Sequence, residues 1–413
     1  MIAVSIAPVP PVISAARAAW ALALLMGLQP VTTDLYLPTL PGLTRELAAP
    51  MSRVQLTLSA LMLAFGVAQL VWGPVADRVG RRPVLLLGLG LFTLASVGGA
   101  LAGSVELLVV WRVLQGAAMA AAVVCARAIV RDLYEPHEGA QVMSLGLSGL
   151  AVIAILSPLL GGLIGLAFSW RVALGGVAVV GGLTLAFVAL RLPETVTQLN
   201  AQATQWRVLL PLWHTIACHR VFVAWALLVS CAYGGLFTML AGSAFVYIDV
   251  LGLSPLQYGV AMASNSCSYL FGTWVCRRWI VRHGLQGAVA RGALFTAAGA
   301  LGMAAVALAS TPLLPALAST PLLAALLLAQ WLYLFGHGIH QPCGQAAAVG
   351  PFPRHAGAAS ALAGFILATV AFGIGLWLGR ALDGTVQPYA WGIAFWGSAT
   401  AAVAWILVPR SGR

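Results

Sequence analysis

Lysine is absent from this 413-residue chain, so all 21 basic residues are arginine, and acids number only 10. Charged side chains make up 8% of the sequence, where soluble domains carry about 25%. That scarcity excludes a water-facing globular surface over most of the chain. A formal charge of +11 could suggest nucleic acid, but the arginines are dispersed among short connections rather than gathered on one polar face, which argues against it. Cysteine is also sparse. Cys125, Cys218, Cys231, Cys267, Cys276 and Cys343 show no CxxC pair or zinc-ligand spacing, and most lie in apolar stretches. They read as free thiols packing as small apolar groups. Paired carboxylates, a nucleophile with its base, a metal cluster and a nucleotide-binding loop are all missing from the apolar segments, which argues against a membrane enzyme and against any cofactor. An ion gradient is the expected energy source.

What is present in quantity is apolar: 61% of the residues are hydrophobic. A membrane-crossing helix needs about 20 such residues, and twelve runs qualify. In the first half they are expected at 16–37, 53–73, 84–103, 105–127, 139–166 and 170–190; in the second, at 219–247, 256–276, 288–309, 322–347, 356–379 and 388–408. The first run is longer than a signal-peptide core and lacks a small-residue cleavage site, so it is expected to stay as a helix. The polar stretch 191–218 reads as a linker between a bundle at 1–190 and a second at 219–413. With the amino terminus inside, 16 arginines fall on the cytoplasmic side, 4 on the other, and Arg112 inside a span. The bias places both termini in the cytoplasm.

The halves echo each other weakly. QLVWGPVADR leaves span two as SYLFGTWVCR leaves span eight, aligning Gly73 with Gly272 and Arg78 with Arg277, while Asp77 faces Cys276. Two six-helix halves with internal symmetry are what transporter folds are built from. An all-α membrane protein of twelve helices in two pseudo-symmetric bundles is the expected fold.

The motifs narrow this further. GPVADRVGRRP at 73–83 resembles the loop motif between helices two and three of the major facilitator superfamily. RVLQG at 112–116 resembles its arginine motif, and SPLLGG at 157–162 its span-five antiporter motif. TDLYLP, QLTLSA, RAIVRDLY and FPRHAGAASALAGF resemble the bicyclomycin and chloramphenicol resistance proteins, the Bcr/CflA type. The resemblance implies a monomeric, proton-driven exporter of small hydrophobic or zwitterionic drugs in a bacterial inner membrane, working by alternating access. The alternative on the same fold is a transporter of a metabolite such as a nucleoside, sugar or amino acid.

Charge inside a span costs a few kcal/mol on insertion scales, so such residues face the bundle interior or a wet cavity. Asp34, in TTDLYLPTLP at the far end of span one, is the expected proton-carrying carboxylate, with Arg112 as its companion in coupling. Where some relatives have a second acid two turns earlier, this chain has Met26. Gln115 and Met119 continue the Arg112 face, and Tyr36, Tyr233, Asn265 and His337 are further candidates for the cavity wall. His337 and His340, one turn apart, are a rival for coupling; no third ligand supports a metal there. Gly73, Asp77, Arg78, Gly80, Arg81 and Arg82 are expected in a short loop acting as a latch, with Asp77 reaching Arg127 or Arg131. Pro158, Gly161 and Gly162 are expected to bend span five and let it pack closely at a moving interface.

Overall fold

A computed structural model describes residues 14–196, 199–310 and 319–411. Every regular element among the described residues is a helix, and no strand occurs among them. Spans one to six are Ala15–Asp34, Met51–Val79, Arg81–Ala100, Val105–Leu133, Pro136–Ala167 and Trp170–Arg191. Span seven, Arg220–Ala244, continues through a π-helical turn, Phe245–Val250. Spans eight and nine share one continuous stretch, Pro255–Ala309, which turns at Gly284 where φ is 67°. Spans ten, eleven and twelve are Ser319–Val349, Ala356–Ala381 and Gln387–Ala402, the last running on through a second π turn, Val403–Leu407.

Expected and observed helices agree in number and order, and differ at two ends that bear on the site. Span two runs to Val79 and span three starts at Arg81. The expected loop 73–83 is therefore a single residue, Gly80, whose φ of 108° suits glycine alone. A β-carbon there would also stand 2.5 Å from Glu194 Oε2. The polar linker contains a helix, Trp206–Ala217, with Leu209 and Ile216 buried and Trp206, Val208 and Leu210 exposed.

Two six-helix bundles meet along two seams. In one, span two lies against span eleven so closely that a β-carbon on Gly66 would fall 2.2 Å from that of Ala368. In the other, span five lies against span eight: a β-carbon on Gly162 would be 2.6 Å from the Pro255 carbonyl, and one on Gly259 would be 2.5 Å from that of Pro158. Backbone touches backbone here, so no side chain fits between. Polar bonds also cross: Gln55 Nε2 donates to the Ala241 carbonyl at 2.7 Å, and Ser266 Oγ to that of Ala154 at 3.3 Å. At this end Tyr36, Leu37, Leu40 and Leu43, in the segment linking spans one and two, are buried. The end opposite the arginine-rich loops is closed.

Candidate functional site

Span one ends at Asp34 because of what surrounds it. Pro30 lies within the helix, Thr32 and Thr33 turn their hydroxyls back onto the carbonyls of Leu28 and Gln29, and a 3-10 turn, Leu37–Thr39, follows. Threonine hydroxyls bonded this way loosen a last turn. The Asp34 side chain is half-buried, and its Oδ1 accepts a bond from Thr33 Oγ1 at 2.8 Å. Its carbonyl lies under span five at Gly161, where a β-carbon would come within 2.6 Å. The 3-10 turn that follows, Leu37–Thr39, packs against spans seven and eight of the second bundle. Asp34 therefore sits where the two bundles meet.

Arg112 is 1% exposed and does not reach Asp34. Among the described residues neither takes part in an ion pair. The guanidinium lies over the Tyr36 ring at 4.0 Å and donates through Nη1 to Gln115 Oε1 at 2.7 Å and to the Thr32 carbonyl at 3.5 Å. Its charge is thus met by an aromatic face and by the negative end of the span-one helix. Gln115 Nε2 passes the chain on to Ser96 Oγ at 2.6 Å, and Tyr36 hydroxyl bonds Thr57 Oγ1 at 3.0 Å. Tyr36, expected on a cavity wall, is fully buried inside the first bundle as the platform for Arg112. Arg112 Nε and Nη2 have no hydrogen-bond partner. Met119, two turns further along span four, is fully buried.

In the second bundle, Tyr233 hydroxyl reaches across the seam to Met62 Sδ at 3.7 Å. Asn265 Nδ2 donates to Gln330 Oε1 at 2.8 Å. His337 is buried beside the Tyr269 ring, 5.6 Å between centroids, and His340 Nε2 bonds Thr296 Oγ1 at 3.0 Å. The second histidine is tied to span nine. No group of three metal-ligating side chains occurs among the described residues.

The charged cluster at the arginine-rich end departs from its expected pairing. Asp77 does not meet Arg127 or Arg131; its Oδ1 binds Arg81 Nη1 at 2.6 Å, because one helical turn across the Gly80 break brings them together. Arg81, 5% exposed, also gives Nε to Asp132 Oδ2 at 3.0 Å. Arg78 bonds Thr204 of the linker, Arg82 the Ala189 carbonyl, and Arg127 crosses to the second bundle, to Ser360 Oγ at 3.0 Å. Arg131 is exposed, and a β-carbon on Gly73 would stand 4.0 Å from Val124 Cγ1. Asp132 and Glu194 were missed as partners, although both are among the few acids in the sequence.

Glu194 caps span three, accepting from the amides of Arg81 and Arg82 at 3.0 Å each, and from those of Thr195 and Val196. Partial burial pushes its carboxyl up, but the backbone amides outweigh that and hold it below the ordinary glutamate value. A folded-state value below the unfolded one stabilises at neutral pH, and the stabilisation is lost as pH falls through the folded value. Glu194→Gln should therefore lower the melting temperature at neutral pH, by a capping contribution of about 1 kcal/mol, and narrow its gap to the parent protein as pH drops toward about 4. A gap independent of pH in thermal unfolding scans would refute the capping role.

Twelve helices in two bundles, closed at one end, with a carboxylate at the seam and a buried arginine beside it, define a polytopic membrane transporter fold. The chain belongs to the Major Facilitator Superfamily, whose family model matches residues 22–375. Multidrug resistance protein D of Escherichia coli is 30% identical over 83% of this chain and 83% of its own length. A chloramphenicol resistance protein of Pseudomonas aeruginosa is 33% identical over 58% of this chain and 56% of that protein. These relatives agree with the Bcr/CflA resemblance of the motifs. In fold, the chain is similar to a D-xylose–proton symporter, with TM-score 0.74 and 17% identity over 96% of this chain and 99% of that one. The protein is a transporter and not an enzyme.

Proposed function

We propose that the protein exports small hydrophobic or zwitterionic compounds, of the chloramphenicol or bicyclomycin kind, in exchange for protons across the bacterial cytoplasmic membrane. The names of its relatives support the substrate class. The observation that carries the coupling is Asp34, a half-buried carboxylate at the bundle seam with no ion pair among the described residues. Its backbone lies under Gly161 of span five, and the turn that follows it packs against span seven. A change of charge there acts on elements of both bundles, which is what a coupling group must do. The protein works as a monomer, with 1–190 and 219–413 as its rocking halves, 191–218 as the linker and no cofactor. Its arginine-rich end faces the cytoplasm.

Arg112 holds span one in register with span four through its bond to the Thr32 carbonyl and its stacking on Tyr36. Arg112→Ala should cut export several-fold while leaving the amount of inserted protein close to normal; normal export by that variant would remove Arg112 from the mechanism. The proposal as a whole is tested in an efflux-deficient bacterium with and without the protein, across a compound panel. Protection that disappears on collapsing the proton gradient is expected. No protection against any compound would move the assignment to metabolite transport.

A further inference from the structure

Beside the seam, the second bundle contains a buried polar cluster drawn from spans seven, eight, ten and twelve. Asn265, Gln330, Tyr389 and Tyr247 are each at most 2% exposed. Gln330 Nε2 donates to the Tyr389 hydroxyl at 2.7 Å, which turns its Oε1 toward Asn265, where it accepts from Nδ2 at 2.8 Å. With the carboxamides placed that way, Asn265 Oδ1 is left as an acceptor with no donor among the described residues. Apolar surroundings make an unmatched acceptor costly to keep.

Met239 and Met262 flank Asn265, their sulfurs 3.7 and 3.9 Å from Nδ2. Thioether side chains are unbranched and polarisable, and they re-pack around bodies of different shape. The seam runs past this point, since Ser266, next in the chain, bonds Ala154 of span five. No charged side chain takes part in these bonds.

We infer that Asn265 Oδ1 is the specificity-determining acceptor of a substrate subsite, held in place by Gln330 and Tyr389. The ligand class it takes is an uncharged amphiphile presenting a hydroxyl hydrogen to Asn265 and an apolar body to the two methionines. Gln330 and Tyr389 are positioning residues, acting through the Asn265 carboxamide. A permanent cation gains nothing from this subsite. The inference builds on the export reading above and adds which chemistry is selected.

The test uses the full-length protein in proteoliposomes, with chloramphenicol as the hydroxyl-bearing neutral probe and its di-O-acetyl ester as the probe that lacks those donors. Asn265→Leu should raise KM for chloramphenicol about tenfold, the worth of a hydrogen bond inside a dry site. It should leave kcat and the KM of the diester nearly unchanged. Gln330→Leu, which frees the carboxamide without touching ligand, should raise the same KM by a smaller factor, and it serves where Asn265→Leu fails to insert. Equal changes for both probes, or a fall in kcat alone, would overturn the assignment and leave a structural role. Transport of neither probe by the parent protein would instead defeat the export reading itself.

Discussion

Asp34→Asn should abolish proton-driven export in vesicles while preserving the protein level and the exchange of labelled for unlabelled substrate. Asparagine has nearly the shape of the protonated acid and keeps an acceptor for the Thr33 hydroxyl, which now bonds Asp34 Oδ1 at 2.8 Å. It cannot release a proton. A carrier fixed in the neutral form still binds substrate and still rocks, so exchange survives, but a pH difference no longer biases the cycle. The same substitution at a carboxylate that only terminates a helix would leave gradient-driven export standing. Loss of exchange together with export would mean that Asp34 organises the end of span one and carries no proton.

Gly162→Val carries the second large effect. The β-carbon alone would sit 2.6 Å from the Pro255 carbonyl and 3.1 Å from Leu256 Cα, and neither atom belongs to a side chain that can swing away. Overpacking of this kind costs about 1–3 kcal/mol. Because the contact exists only when spans five and eight are together, that cost falls on the closed state and shifts its population by roughly tenfold or more. Labelling of Leu256→Cys by a membrane-impermeant maleimide, in a background without the native cysteines, should become correspondingly faster, and export should fall. Unchanged labelling with reduced export would show a folding defect in place of a shifted equilibrium.

The fold was legible because the bilayer imposes a length on each apolar run, and twelve runs of the right length leave little choice of architecture. Helix ends were less legible. The charged residues Asp77 and Arg78 looked like loop, yet they sit on the last turn of span two, since polar side chains are tolerated on a helix that has left the hydrocarbon. Only the sharp turn at Gly80 stops it.

At the site, rarity of charge was the signal that worked. With 10 acids in the chain, one inside an apolar run is conspicuous, and so is one arginine within a span. Partners were not legible, because they come from far along the sequence. Arg81 meets Asp132 51 residues away and Glu194 113 residues away. The opposite charges of Asp34 and Arg112 invited a pairing, but Arg112 lies over Tyr36 instead. The ring comes from the proline-rich segment after Asp34, which the 3-10 turn folds back into the first bundle. Gln330 and Tyr389 drew no notice, since a single amide or tyrosine in an apolar span has no pattern until its neighbours are known.

The exchange of compound for protons is tested most directly with the purified protein in vesicles loaded with a pH-sensitive dye and a transported drug, diluted into drug-free medium at equal pH. Drug leaving down its own gradient should draw protons in and acidify the lumen, and Asp34→Asn vesicles should show no acidification. Drug efflux with no pH change, or with alkalinisation, would contradict the account.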